Sequence, residues 1–450
     1  MPGADSTRQP GTIGRVWEGL RAASRSDLSR NAMWFTSLSG VERVMAVGQT
    51  VLISRAVGIT EYGVYGLLFG TIGFVASIVG FQMGLTATVY VSKYRGAEKS
   101  KAAAVISVVN RFAWLSAVAF VAVVAPFSGV IAEGLVNSSR YTVAVLLGII
   151  FVGSTILSGV QDGVARGFEI FSAIAKLKIV AAVLVLASIY PVALAFGLNG
   201  VLCSILGGLV LKYVVLQRLI RSSRIDAGIP DAGEGVSFRS LIGNFALPSM
   251  AVSLLLGVVT WLGMFVLSKQ QGGFDEVAIV NAGLQWRGPV LLLATSLGGV
   301  AVPAFSRLSG AGDAGGSRRL RRILSLVNFL MAAAVAVLVT AGSGVIMSIY
   351  GEGFQAGRIA FCLIVVSTVP MVVANVYVQE LVGAARMWRQ LWLHCPFLIT
   401  LSLCFAFLVP RYHALGYGAS LLIGSSVLLG QFVIADMLAT RRRRSAGMGR

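Results

Sequence analysis

Residues 37–65 read Ser37-Leu-Ser-Gly-Val-Glu-Arg-Val-Met-Ala-Val-Gly-Gln-Thr-Val-Leu-Ile-Ser-Arg-Ala-Val-Gly-Ile-Thr-Glu-Tyr-Gly-Val-Tyr65. The stretch is apolar enough to enter a bilayer, yet it carries Glu42 and Arg43 in its first half. At 100° per residue, Ser39, Arg43, Ala46, Thr50 and Ser54 fall on one narrow stripe of a helix. That stripe is small, polar or charged, which suits the wall of a wet interior rather than contact with lipid. The helix then reaches a short loop, Arg55 to Tyr62, with Gly58 available for the turn and Tyr62 as an interfacial aromatic.

Working outward, the 450-residue chain is 56% hydrophobic and only 12% charged, where soluble domains hold about 25% charged residues. Twelve runs approach the roughly 20 apolar residues that a membrane helix needs: 33–53, 63–91, 103–125, 141–161, 172–193, 198–218, 240–267, 277–304, 321–347, 359–384, 391–409 and 415–438. In the second run, Gly66, Gly70, Gly73, Gly80 and Gly84 allow bending or close packing. The expected fold is an all-α polytopic membrane protein. Cys203, Cys362, Cys395 and Cys404 all sit inside apolar runs with no Cys-x-x-Cys pair, so neither a metal site nor a disulfide framework is expected. His394 and His413 have no metal-ligand spacing, no Walker motif is present, and no cofactor is expected. Residues 1–32 lack the features of a cleavable signal peptide and read as a basic tail.

The net charge of +19 raises the question of nucleic acid, but its distribution excludes it. Alternate loops, counted from the N-terminus, hold 29 of the 37 basic residues; the intervening loops hold 5, and Arg43, Arg111 and Arg287 lie inside helices. A split of that kind is a topology signal and predicts both termini in the cytoplasm.

Residues 220–238 form the best linker. The loop after the first helix (Ser54-Arg55-Ala56-Val57-Gly58, then Glu61-Tyr62-Gly63) returns about 214 residues later as Ser268-Lys269-Gln270-Gln271-Gly272, then Asp275-Glu276-Val277. The expected organisation is a tail (1–32), a six-helix lobe (33–219), a linker (220–238), a second six-helix lobe (239–439) and a basic tail (440–450), the lobes related by a pseudo-two-fold axis along the membrane normal.

Arg43, Arg111 and Arg287 fall near mid-membrane by helix rise, where each costs about 2.5–3.5 kcal/mol on insertion scales. Glu42 is the one carboxylate at similar depth, a candidate carrier of a coupling proton or sodium ion; Asp162, Glu380 and Asp436 fall nearer helix ends. The surplus of positive charge calls for an anionic cargo, and a pyrophosphate fits. The bland alternative pairs Arg43 with Glu42, and sends Arg111, which shares a stripe with Ser107 and Trp114, to the carbonyls of a neighbouring helix. Asn244, Asn281, Gln285, Trp286 and Asn375 are candidates for sugar contacts, with interhelical bonding as their default role. Gly288-Pro289 is expected to break the hydrogen-bond ladder of the eighth helix and free the Gln285 carbonyl.

The run Ser54-Arg55-Ala56-Val57-Gly58-Ile59-Thr60-Glu61-Tyr62-Gly63-Val64-Tyr65 resembles the first-loop signature of polysaccharide-biosynthesis flippases, as do Gly84-Leu85 and Val89 to Arg95. These O-antigen and exopolysaccharide repeat-unit flippases belong to the multidrug/oligosaccharidyl-lipid/polysaccharide exporter superfamily. The resemblance implies V-shaped lobes around a central cavity, alternating access, and an isoprenoid-pyrophosphate-linked oligosaccharide as cargo. It also implies partnership with membrane lipids, a polysaccharide polymerase and glycosyltransferases. A drug/cation antiporter of the same superfamily is the alternative, but it requires an acidic cavity. A membrane polymerase or ligase is a third, but it requires a long outer loop, and Pro126 to Arg140 is the longest here.

Overall fold

A computed structural model describes residues 27–96, 98–231, 233, 247–384 and 387–447, which form helices and no strand. In chain order the α-helices are α1 (Asp27–Val79), α2 (Met83–Tyr94), α3 (Lys99–Val124), α4 (Ser128–Val136), α5 (Thr142–Gly167), α6 (Phe171–Asp226), α7 (Leu247–Ser268), α8 (Gly273–Gly310), α9 (Ala314–Ala341), α10 (Ser343–Tyr350), α11 (Arg358–Val366), α12 (Thr368–Gly383) and α13 (Met387–Gly447).

Three of these helices are hairpins. α1, α6 and α13 leave helical geometry at one residue each: Gly58, Gly197 and His413. The chain then doubles back, so that Gly208 packs on Val185 and Gly424 on Leu401. Among the described residues seven stretches are long and apolar enough to cross a membrane. Three of the seven cross twice, and α7 and α8 complete the twelve passes. The second pass is α1 beyond Gly58 followed by α2; the tenth is α11 with α12. The helices run further than hydropathy alone indicates: α6 continues to Asp226 and α13 to Gly447. Their ends carry Arg218, Arg221 and Arg224, and Arg441 to Arg444, all good helix formers.

The internal repeat is written in the turns. Gly58 (φ 83°) and Gly272 (φ 67°) are 214 residues apart, as are Asn137 (φ 56°) and Gly351 (φ 142°). Gly197 and His413, 216 apart, share nearly the same unusual backbone, φ 56°, ψ −140° and φ 51°, ψ −129°. All six lie at the end of the molecule opposite the described chain ends, here called the distal end. Two six-pass lobes result, passes one to six and seven to twelve.

The lobes share one apolar core only at the distal end. A single cluster joins Ile53, Tyr62, Tyr65 and Leu198 of the first lobe to Val277, Tyr350, Phe354, Phe361 and Tyr417 of the second. Toward the chain ends the buried residues separate into a cluster confined to the first lobe, around Met83, Val105, Val164 and Leu216, and smaller ones confined to the second, around Val290 and around Phe305. A bilayer offers little hydrophobic drive between helices, so close backbone approach must supply the contact. A Cβ on Gly63 would overlap the Phe274 carbonyl, and one on Gly66 would lie 3.0 Å from Asn281. The two lobes therefore form a V, closed at the distal end and parted toward the chain ends.

The second and eighth passes locate the bend and the interrupted ladder that the sequence leads one to expect. The second breaks at Phe81 and Gln82, where φ is 47° and 51°. The eighth stays helical through Gly288-Pro289, because proline only removes one donor; the Gln285 carbonyl still lacks its partner four residues on.

Candidate functional site

The seam between α1 and α8 positions the central residues. Arg43 lies 15 residues before the Gly58 turn, and Arg287 14 residues after Gly273. At 1.5 Å per residue both are about 21–23 Å from the distal end. The exposed Arg43 side chain lies along Gly288: a Cβ there would sit 3.5 Å from its Nη1. That is ordinary van der Waals distance, so the Arg43 side chain reaches the face of α8 across the seam. Arg287 points the other way, into the second lobe. Its Nη2 lies 2.9 Å from Met371 Sδ, and its Nε is buried without a hydrogen bond. Among the described residues neither arginine has a carboxylate partner.

Three other cations on membrane helices do. Lys178 Nζ of α6 donates to both oxygens of Glu42, at 3.1 and 3.3 Å. Lys212 of α6 pairs with Asp162 of α5 at 2.9 Å. Arg321 of α9, nearly buried, bridges Glu380 of α12 (2.6 Å) and Asp436 of α13 (2.5 Å), with its guanidinium over the Tyr377 ring at 5.0 Å. Sequence reading grouped all three with the loops. The available signal was depth: Lys178 lies seven residues into α6 and Arg321 seven into α9, roughly 10 Å along the axis. Glu42 pairs with Lys178 and not with its neighbour Arg43.

Asn281, 7% exposed, lies against Gly66 beside the Tyr62 hydroxyl. Trp286 packs edge-on to Phe361 at 6.5 Å, its Nε1 buried without a hydrogen bond. Thr50 and Tyr350 share a 3.0 Å hydrogen bond across the lobes. Asn281 and Trp286 thus belong to the closed polar apex above the arginines. Gln285 and Asn375 are part-buried. Asn244 lies outside the described residues. Arg111 is not brought to the seam: it is exposed on α3, on a stripe with Trp114, Leu115 and Val118, and α3 packs on α2 and α5 of its own lobe. Arg55, read only as part of a loop signature, donates to the carbonyls of Ser348 (2.6 Å) and Ile349 (2.7 Å) at the end of α10. The cation there meets the negative end of a helix and ties the lobes together.

Two six-pass lobes arranged as one V define the class, a multi-pass membrane protein. The fold is that of an inward-facing multidrug MATE transporter of the MOP superfamily, with a TM-score of 0.76 at 15% identity over 92% of this chain and 98% of that one. It is equally that of the lipid II flippase MurJ in an inward closed conformation, with a TM-score of 0.73 at 12% identity over 90% and 87%. The chain belongs to the polysaccharide biosynthesis protein family, whose pattern it matches over residues 28–309. The EPS I polysaccharide export inner membrane protein EpsE of Ralstonia nicotianae is 22% identical over 174 residues, 39% of each chain. The match thus spans well under half the length of that relative.

Proposed function

We propose that the protein flips undecaprenyl-pyrophosphate-linked oligosaccharide repeat units across the bacterial cytoplasmic membrane by alternating access, supplying a surface or exopolysaccharide. The chain ends and the open side of the V face the cytoplasm, where the lipid-linked unit is assembled; the transporter itself makes or breaks no covalent bond. One observation carries the reading: Lys178, Lys212 and Arg321 each have a carboxylate, whereas Arg43 at the seam, and Arg287 beside it with its side chain turned into the second lobe, have none among the described residues. Leaving two cations uncompensated in a membrane costs several kcal/mol, and a diphosphate spanning the seam would offset it through charge-assisted bonds. A transporter of cations would need the opposite balance there.

Surface glycan and membrane abundance test this together. Arg43→Ala and Arg287→Ala are expected to stop glycan display while the protein stays near wild-type level, with lipid-linked repeats accumulating in the inner leaflet; Arg43→Lys, which keeps charge but loses the planar fork, retains part of the activity. Normal display by both alanine variants would remove the anchor role. Sensitivity to cationic drugs with intact display in a deletion strain would point to the antiporter.

A further inference from the structure

Beside the break in the second pass, a cleft of about 480 Å³ opens between that pass and α5. This lies in the size range of small-molecule sites. Gly73 and Gly159 line it, and a Cβ on either would meet nothing within 4 Å. Neither has a positive φ. Mid-helix glycine is among the least stabilising choices, and here no close approach requires it; any side chain would instead fill the cleft. Gly84 and Gly163, in the same wall, are different: a Cβ on each would overlap the backbone of the facing helix.

The polar groups of the wall are mixed in kind. Thr88 donates to the carbonyls of Gly84 and Gly163. Lys212 takes Asp162 Oδ2, whereas Asp162 Oδ1 and Thr155 Oγ1 are buried with no hydrogen bond, a condition native proteins rarely leave unmet. Gln82, Ser77 and Arg166 complete the lining. On the helix, Gly73 and Ser77 lie about 60° round from Gly70 and Phe74, which touch Met264 and Gly257 of α7 in the other lobe. The cleft therefore opens next to the seam.

We infer that this cleft is a saccharide subsite, holding the sugar nearest the diphosphate. The inference rests on the flippase reading. Lys212 already neutralises the carboxylate in the wall, and an acceptor, hydroxyls and an amide around a carbon-lined, glycine-walled space suit the hydroxyls of a sugar ring.

The test uses the full chain in nanodiscs and native mass spectrometry with undecaprenyl diphosphate, either bare or bearing one glucose, galactose or N-acetylglucosamine. At least one glycosylated lipid is expected to bind about tenfold tighter than the bare lipid, the worth of one or two hydrogen bonds. Gly159→Phe should erase that advantage and leave bare-lipid affinity unchanged; Thr155→Val should reduce it. Gly207→Phe should keep it, since its added side chain also meets open space but lies outside the cleft. Equal binding of bare and glycosylated lipids, or an advantage that survives Gly159→Phe, overturns the subsite and leaves the flippase reading standing. Failure of every lipid to bind the wild-type chain overturns both.

Discussion

Lys178 changes what Glu42 can do. A lone mid-membrane carboxylate is a natural carrier of a coupling ion, but an ammonium group 3.1 Å away already neutralises it. The pair is part-exposed, with side chains 19% and 36% accessible, so it contributes about 1–3 kcal/mol, between exposed and buried pairs. Glu42→Gln and Lys178→Met are each expected to lower membrane abundance, and the double variant to recover both abundance and glycan display. A double variant that is abundant but inactive would instead assign Glu42 to ion coupling. Arg43 was legible in the sequence because it interrupts an apolar run and lies on a stripe of small and polar residues. Lys178 was not, because it sits where an apolar run begins, and hydropathy cannot say whether such a residue points to water or to a partner. Pairing is a property of two helices brought together, here α1 and α6, and no pattern within either one encodes it.

At the scale of elements, the turns carry both fold and function. Gly197 and His413 adopt nearly the same backbone geometry at corresponding hairpins, but only the glycine does so without steric penalty. His413→Gly is expected to stabilise the protein by about 1 kcal/mol, read as a rise in the melting temperature of the detergent-solubilised chain with transport unchanged; a fall would mean that the imidazole packs usefully at the bend. The count of twelve passes and the 214-residue repeat of the first loop were legible in the sequence, since hydropathy and turn residues are local signals. The break at Phe81 and Gln82 was not, because neither residue favours a left-handed turn. There, packing of Gly84 against α5 overrides local preference. The second lobe has a counterweight to this break in Arg321, which ties α9, α12 and α13 together near their ends.

For the whole molecule, orientation and gating are separable questions. In a chain with its four cysteines replaced, cysteines at the exposed Phe196 and Tyr412 should label from outside intact cells, and one at Ser309 only after permeabilisation. The reverse pattern would invert the topology. Thr60 and Asp275 meet across the lobes at 2.6 Å, so a Thr60→Cys/Asp275→Cys disulfide should hold the distal end shut and stop glycan display, with recovery on reduction. Display by the oxidised form would mean that cargo passes without the distal end opening.

The fused apolar core at that end also bears on the cell's energy supply. A passage wide enough for a saccharide would, if wet from one face to the other, short-circuit the ion gradients across the membrane. Tyr62, Tyr350, Phe354 and Phe361, each at most 1% exposed, form a dry plug about the lobe junction that leaves no continuous water file. If the chain is the flippase proposed above, such a plug lets it stand open toward one compartment without dissipating the proton motive force.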